Sequence, residues 1–198
     1  MKKILATAAV TALLVVGVAT PAQASWPKPS PAPAPTQNIV EIAVAASGGG
    51  TPDTNANDYD ILVQAVLATE LAAPLSGGKW TVFAPTDRAF MTLVKDLTGT
   101  APASEAEALT TITTAFTIPQ IREIVLYHAV PDREIGPLRL LLTRSLTMAD
   151  GGIVRPAGLV LRDETPSLRD PRLVLRAIDI DATNGVIHTI DRVLVPTL

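Results

Sequence analysis

The chain contains no cysteine, so whatever it folds into must be held by buried apolar side chains and backbone hydrogen bonds alone. The same absence excludes thiol nucleophiles, cysteine-based zinc sites and the lipidated cysteine of a bacterial lipoprotein. Apolar residues make up 47% of the 198 positions, enough to fill a core and to rule out global disorder. Aromatics are only 4%, so that core must be built from Leu, Val, Ile and Ala.

The first segment reads as an address. Met1-Lys2-Lys3 is a short positive start, Ile4 to Ala19 is apolar and uncharged, and Ala22-Gln23-Ala24 is a small-x-small cleavage pattern. The apolar run is shorter than the ~20 residues of a stable span. Residues 1–24 are therefore expected to be a signal peptide cut after Ala24, leaving a secreted, extracellular chain with no stable membrane span. Loss of Lys2 and Lys3 takes the formal charge from −3 to −5. A mildly acidic chain without a basic block is a poor partner for nucleic acid or an anionic membrane. Residues 25–37 then form a proline-rich spacer. Trp26 to Pro35 reads WPKPSPAPAP, which forces extended polyproline II and excludes helix.

Residues 38–198 read as one globular domain. Ile39 to Ala46 is a short apolar helix ended by Ser47-Gly48-Gly49-Gly50. Asp58 can cap the helix that follows, where Ile61, Leu62, Ala65 and Val66 keep helical spacing. Thr81-Val82-Phe83 is a strand stopped by Pro85, and Asp87 to Lys95 is a helix with Phe90 inward. Thr86 or Asp87 is placed to cap that helix. Ser104 to Glu107 is a capping box, and Pro119 opens a further helix ending near His128. From Leu146 on, short apolar runs alternate with Gly, Asp and Pro: Leu173 to Ile180, Val186 to Ile190 and Val193 to Val195 are among them. They predict an antiparallel sheet, with Val193 to Val195 closing it. Helices first and strands later make an α+β fold.

Chemistry-bearing patterns are sparse. His128 and His188, the only histidines, have no cysteine to join them in a transition-metal site. No Gly-x-Ser-x-Gly elbow occurs. Asp53-Thr54-Asn55-Ala56-Asn57 imitates the start of a calcium loop. Its sixth position is Asp58 instead of glycine and its twelfth is Gln64 instead of glutamate, so it reads as a polar loop. Ser76 to Trp80 has a glycine pair before lysine but opens a strand, so it is a turn and not a phosphate loop. Glu105 and Glu107 read as solvated carboxylates on a capped helix. No catalytic residue, metal ligand or cofactor is expected.

Three segments stand out together. Thr81-Val82-Phe83-Ala84-Pro85-Thr86-Asp87-Arg88-Ala89-Phe90, Tyr127-His128, and Asn184-Gly185-Val186-Ile187-His188-Thr189-Ile190 through Pro196 resemble, in order and spacing, the first signature, the central Tyr-His pair and the second signature of the fasciclin (FAS1) family. The residues also make sense as fold-makers. A strand delivers Phe83 to a core, Asn184-Gly185 makes a turn that needs positive φ, and His128 hydrogen-bonds near the first segment.

The resemblance implies a FAS1 fold, a compact antiparallel β-wedge or sandwich with helices packed around it, in a single-domain secreted bacterial member. It implies no enzyme. It implies an adhesion or surface-interaction module whose partner is a cell-surface or matrix protein or a polysaccharide, with weak self-association supplying avidity. Asp179-Ile180 occupies the position linked to receptor binding in animal matrix members, and the residues around Tyr127 and His128 are implicated too. Some secreted bacterial relatives carry a disulfide that this chain cannot form. A second reading is a small apolar ligand or lipid bound in a groove between helix and sheet.

Overall fold

The structure is a computed structural model that describes residues 33–198. The leader and most of the proline-rich spacer lie outside the described residues.

Helix α1 (Ile39–Ala46) begins at Asn38, whose Oδ1 accepts from the Glu41 amide while the Glu41 carboxylate accepts from the Asn38 amide. A polar loop leads to α2 (Asp60–Ala68) and the short α3 (Ala72–Ser76). Strand β1 (Trp80–Pro85) follows, then α4 (Asp87–Thr98), α5 (Glu105–Ala115) and α6 (Ile118–Leu126). Beyond them come β2 (Ala129–Pro131), α7 (Pro137–Leu142), β3 (Leu146–Thr147), β4 (Ile153–Ala157) and β5 (Val160–Arg162). Strands β6 (Ile180–Ala182) and β7 (Gly185–Ile190) complete the fold.

The main sheet has the order β2-β1-β7-β6, and β3-β4-β5 form a second, smaller sheet. The architecture is α+β, but one expectation changes. The sheet is not uniformly antiparallel: β1 and β7 run parallel, with Trp80 opposite Gly185 and Pro85 opposite Ile190. β2 on one side and β6 on the other are antiparallel. Both central strands are buried on both faces, so their side chains carry no polar-out alternation that would betray strand direction.

Alternation across the pleat divides the core in two. Val82, Ala84 and Ile187 face the helices α2, α4 and α6. Phe83 and Ile190 face the opposite way, into a cluster with Tyr127, Leu140, Leu146 and Leu161. Phe83 is fully enclosed, and its ring lies 5.8 Å from the His188 imidazole, tilted by 33°.

Two apolar runs that read as strands are not. Leu173 to Ile180 forms one isolated bridge, Leu173 with Ile190, then a 3-10 turn over Leu175–Ala177, and only its last residue, Ile180, enters a strand, as the start of β6. It turns sharply again at Asp179, whose φ is 60°. Val193 to Val195 does not close the sheet. Leu194 N donates to His128 Nε2 (3.0 Å) and Val195 N to Asp163 Oδ2 (3.0 Å), so side chains take the amides that a ladder would have used.

The Asn184-Gly185 corner fastens the sheet to the helices. Asn184 Oδ1 accepts from Ile39 N (2.9 Å) at the start of α1, and its Nδ2 donates to Leu75 O (2.8 Å) in α3. Gly185 has φ 148°, and a Cβ there would drive into the Trp80 backbone. Gly185→Ala is expected to cost about 3 kcal/mol or more, since the clash is with backbone that cannot move aside. Asn184→Ala should cost about 2 kcal/mol by orphaning a buried amide and a buried carbonyl. Urea unfolding monitored by circular dichroism measures both; a loss under about 0.5 kcal/mol for Gly185→Ala would contradict the close approach.

Candidate functional site

The three signature segments meet. β1 and β7 pair directly, and Tyr127-His128 leads into β2 on the other edge of β1. Phe83 N donates to His128 O (2.8 Å). The two histidines are spent on this joint. His128 Nδ1 donates to Ile124 O (2.7 Å), which leaves Nε2 to accept from Leu194 N. His188 Nε2 donates to Ile135 O (2.7 Å), and its Nδ1 accepts from Asp179 N (3.2 Å). Both rings are therefore neutral tautomers with both nitrogens engaged by backbone groups. Burial pushes the His128 pKa down to about 4 and lowers that of His188 as well.

The remaining motif residues act in the frame. Thr81 is buried; its hydroxyl donates to Arg133 O and accepts from Ile135 N, both at 2.9 Å. Pro85 ends β1, and Phe90 packs from α4 into the helical core. Tyr127 is completely enclosed and its hydroxyl donates to Ile153 O (3.1 Å). Among the residues named as partner contacts, Tyr127 and His128 are thus shut away from the surface and Ile180 is half-buried, whereas Asp179 is exposed. Asp179 holds a left-handed backbone, which Asp tolerates better than most residues, and its carboxylate lies beside Gly136 at the start of α7.

Capping follows a different pattern from the one the sequence suggests. Thr86 is the N-cap of α4 but its side chain makes no capping bond, and Asp58 does not cap α2. Instead Asp87 reaches back to α2: its Oδ2 accepts from Asp60 N (3.0 Å) and its Oδ1 from Ile61 N (2.8 Å). In return, Asp58 O and Ala56 O accept from Asp87 N and Arg88 N in the first turn of α4. Two helix starts satisfy each other's amides through the 53–58 loop.

This exchange buries carboxylates. Asp58, Asp60 and Asp87 are enclosed, and Glu105, expected to be solvated, is buried with its Oε2 accepting from Asp53 N (2.7 Å). Desolvation, with repulsion from Asp58, Asp53 and Glu105, pushes the Asp60 pKa up to about 6. Burial, then the neighbouring Asp58 carboxyl, raises that of Asp87. Sequence reasoning missed Asp60 and Glu105. The available signal was the density of acids between residues 53 and 60, but the helices that bring Asp87 and Glu105 to them are not local.

An apolar cleft of about 280 Å³ opens between α2, α4, α5 and α6, lined by Ile61, Phe90, Leu93, Leu109, Ile112 and Phe116. No helix among the described residues is long and apolar enough to cross a membrane.

The histidine geometry fixes an acid limb. His128 titrates near 6.5 when unfolded and about 4 when folded. Its contribution is complete above pH ~6.5 and is lost as pH falls through ~4, a change of about 3 kcal/mol. The imidazole C–H resonances in NMR are expected to give a His128 midpoint near pH 4; a midpoint near 6.5 would show the ring to be solvated.

The profile of the fasciclin domain matches residues 57–196. The Synechocystis protein sll1483 is 30% identical over 147 residues, which take in 71% of this chain and 68% of that one. A second Synechocystis protein, the uncharacterized sll1735, is 33% identical over 160 residues, covering 79% of this chain and 96% of its own length. Among solved structures, a FAS1 domain pair from the insect cell adhesion molecule Fasciclin I superposes with a TM-score of 0.55 over 81% of this chain, at 16% identity. This chain spans about half of that pair, 51% of its length, so the likeness is one of fold. With its three signature segments joined in one sheet and the family profile matched across most of its length, the chain belongs to the fasciclin domain family.

Proposed function

We propose that this protein is an adhesion or surface-interaction module, exported through its N-terminal leader, that binds a cell-surface or matrix protein or a polysaccharide. The observation that carries the reading is the face around α7. This helix turns Leu140 into the core but leaves Leu138 79% and Leu142 85% exposed, with Leu141 also outward. Exposed leucines clustered on one short helix have no role in the fold and suit contact with another molecule. Asp179, strained and exposed beside Gly136, supplies a charged group at the edge of this face. Export is supported by the Lys2-Lys3 start, the apolar run and Ala22-Gln23-Ala24. Membership of a family found in cell adhesion proteins agrees with the reading.

The test is binding of the purified chain to the surface fraction of the producing cells, to matrix polymers and to biofilm polysaccharide. Saturable binding to one of them is expected, and a Leu138→Ser, Leu142→Ser double variant should weaken it by about tenfold or more while keeping the far-UV dichroism. No saturable binding to any surface would refute the proposal, and undiminished binding by the double variant would remove α7 from it.

A second reading keeps the small apolar ligand but moves it: the space between helix and sheet, beside Val82, Ala84 and Ile187, is only about 40 Å³, and the roomier cleft lies between α2, α4, α5 and α6. Its lining is almost wholly apolar, and its size is near the lower bound for a small-ligand site. Native mass spectrometry of the purified protein is expected to show a copurifying lipid or apolar molecule if the cleft serves binding. A clean apo mass, with no uptake of added fatty acid, would discard it.

A further inference from the structure

The structure assigns a calcium-class divalent cation to the pocket formed by Asp53, Asp58, Asp60, Asp87 and Glu105, where the 53–58 loop meets the starts of α2, α4 and α5. The carboxylate oxygens fall in two groups that share Asp58. Those of Asp53, Asp58 and Glu105 lie within 4.8 Å of one another, and so do those of Asp58, Asp60 and Asp87. Oxygens on opposite sides of a calcium ion stand roughly 4.6–5.2 Å apart, so one ion can reach members of such a set.

Acidic clusters are common and by themselves mean little. Here the decisive group is Asp60. It is completely buried, and neither Oδ1 nor Oδ2 has a well-formed hydrogen bond in the protein, the nearby Asp53 amide donating to Glu105 instead. Asp58 Oδ1 is likewise buried and unpartnered. Asp58 and Asp60 each offer a carboxylate oxygen to the groups of acids around them. The ion pairs among the described residues, Lys79 with Glu134 and Arg192 with Asp96, involve none of these acids. A buried ionised carboxylate without a counter-charge or hydrogen bond is unfavourable, a penalty that a bound cation removes. The donor set is oxygen only, which selects a hard cation, and five carboxylates drawn from one loop and three helix starts suit the high, flexible coordination of calcium better than the strict octahedron of magnesium, which keeps several waters.

The neighbouring hydrogen bonds fix several of these acids in place. Asp87 spends its oxygens on the amides of Asp60 and Ile61, which sets its orientation. Asn55 Nδ2 donates to Asp58 Oδ2 (2.9 Å), which leaves Oδ1 as the buried, unpartnered oxygen. Asp53 N on Glu105 ties the loop to α5. The site is not the helix-loop-helix calcium loop that Asp53 to Asn57 imitates, because its ligands come from three separate stretches of chain. Its effect would be to clamp those stretches together.

The test is calcium titration of the full chain, stripped with EDTA, at about pH 7.5, by calorimetry and by thermal melting. One ion per chain is expected, with Tm raised by about 5 °C at saturating calcium and by less with magnesium. Terbium should give sensitised emission through Tyr59, which adjoins Asp58 and Asp60 in sequence, and calcium should quench it. Asp60→Asn should abolish all three responses, whereas Asp132→Asn, an exposed acid outside the cluster, should leave them intact. If Asp60→Asn does not fold, Glu105→Gln and the terbium displacement on the unmutated chain carry the decision. Absence of any calcium heat, melting shift or terbium emission in the unmutated chain would overturn the proposal, showing that the buried acids keep protons instead. Responses that survive both substitutions would overturn it too.

Discussion

A parallel pair of strands cannot be joined by a tight turn, and this fold is organised around one. β1 and β7 lie side by side at the centre of the main sheet, so the chain between them must travel out and return to the same edge. It uses that length twice. The first half lays α4, α5 and α6 over one face, and the second half lays α7 and the smaller sheet over the other. Because both faces of the central strands are covered, they can be almost wholly apolar, and Phe83 and Ile187 each anchor a different half of the core. The signature segments are these two strands and the Tyr127-His128 entry to their antiparallel neighbour.

The polar residues inside this frame fall into two kinds. Asn184, His128, His188 and Thr81 are fully engaged with backbone groups, and each joins segments that are remote in sequence. They replace ladder hydrogen bonds where the strands end and the helices begin. The buried acids near the start of α2 are different. Asp87 is engaged, but Asp60 is not, and the repulsion among them works against the fold unless something neutral or positive is supplied.

Much of the architecture was legible in the sequence, for local reasons. α1 begins at Asn38 and stops at Ser47 because a capping box and a glycine run mark its ends. Ser104 caps α5, with its hydroxyl accepting from Glu107 N, although Glu107 itself turns back to Ala103 N and not to the cap. His128 does lie against the first signature segment, but through its carbonyl, which accepts from Phe83 N; its imidazole bonds Ile124 O and Leu194 N instead. What could not be read was non-local. Strand direction at the sheet centre leaves no mark when both faces are buried. The choice of Asp87 to cap α2 and not α4 depends on the distance between two helix starts, not on either sequence. Val193 and Leu194 are as apolar as any strand, but they enter opposite cores as an irregular segment because His128 and Asp163 accept the amides that follow. Among the candidate contacts, Tyr127 and His128 are interior, Ile180 is half-buried and Asp179 is exposed beside α7, a division set by tertiary packing that local sequence does not carry.

The place of β7 in the sheet has a consequence for how the molecule is made. A polypeptide emerges from the ribosome from its amino end, and here the strand that completes the middle of the sheet is synthesised after every other strand. Until residue 190 has emerged, β1 has β2 on one side and nothing on the other, and the helices that pack on it have no finished floor. The main sheet of a nascent chain of this kind cannot be completed, nor both halves of its core sealed, before β7 itself has been made.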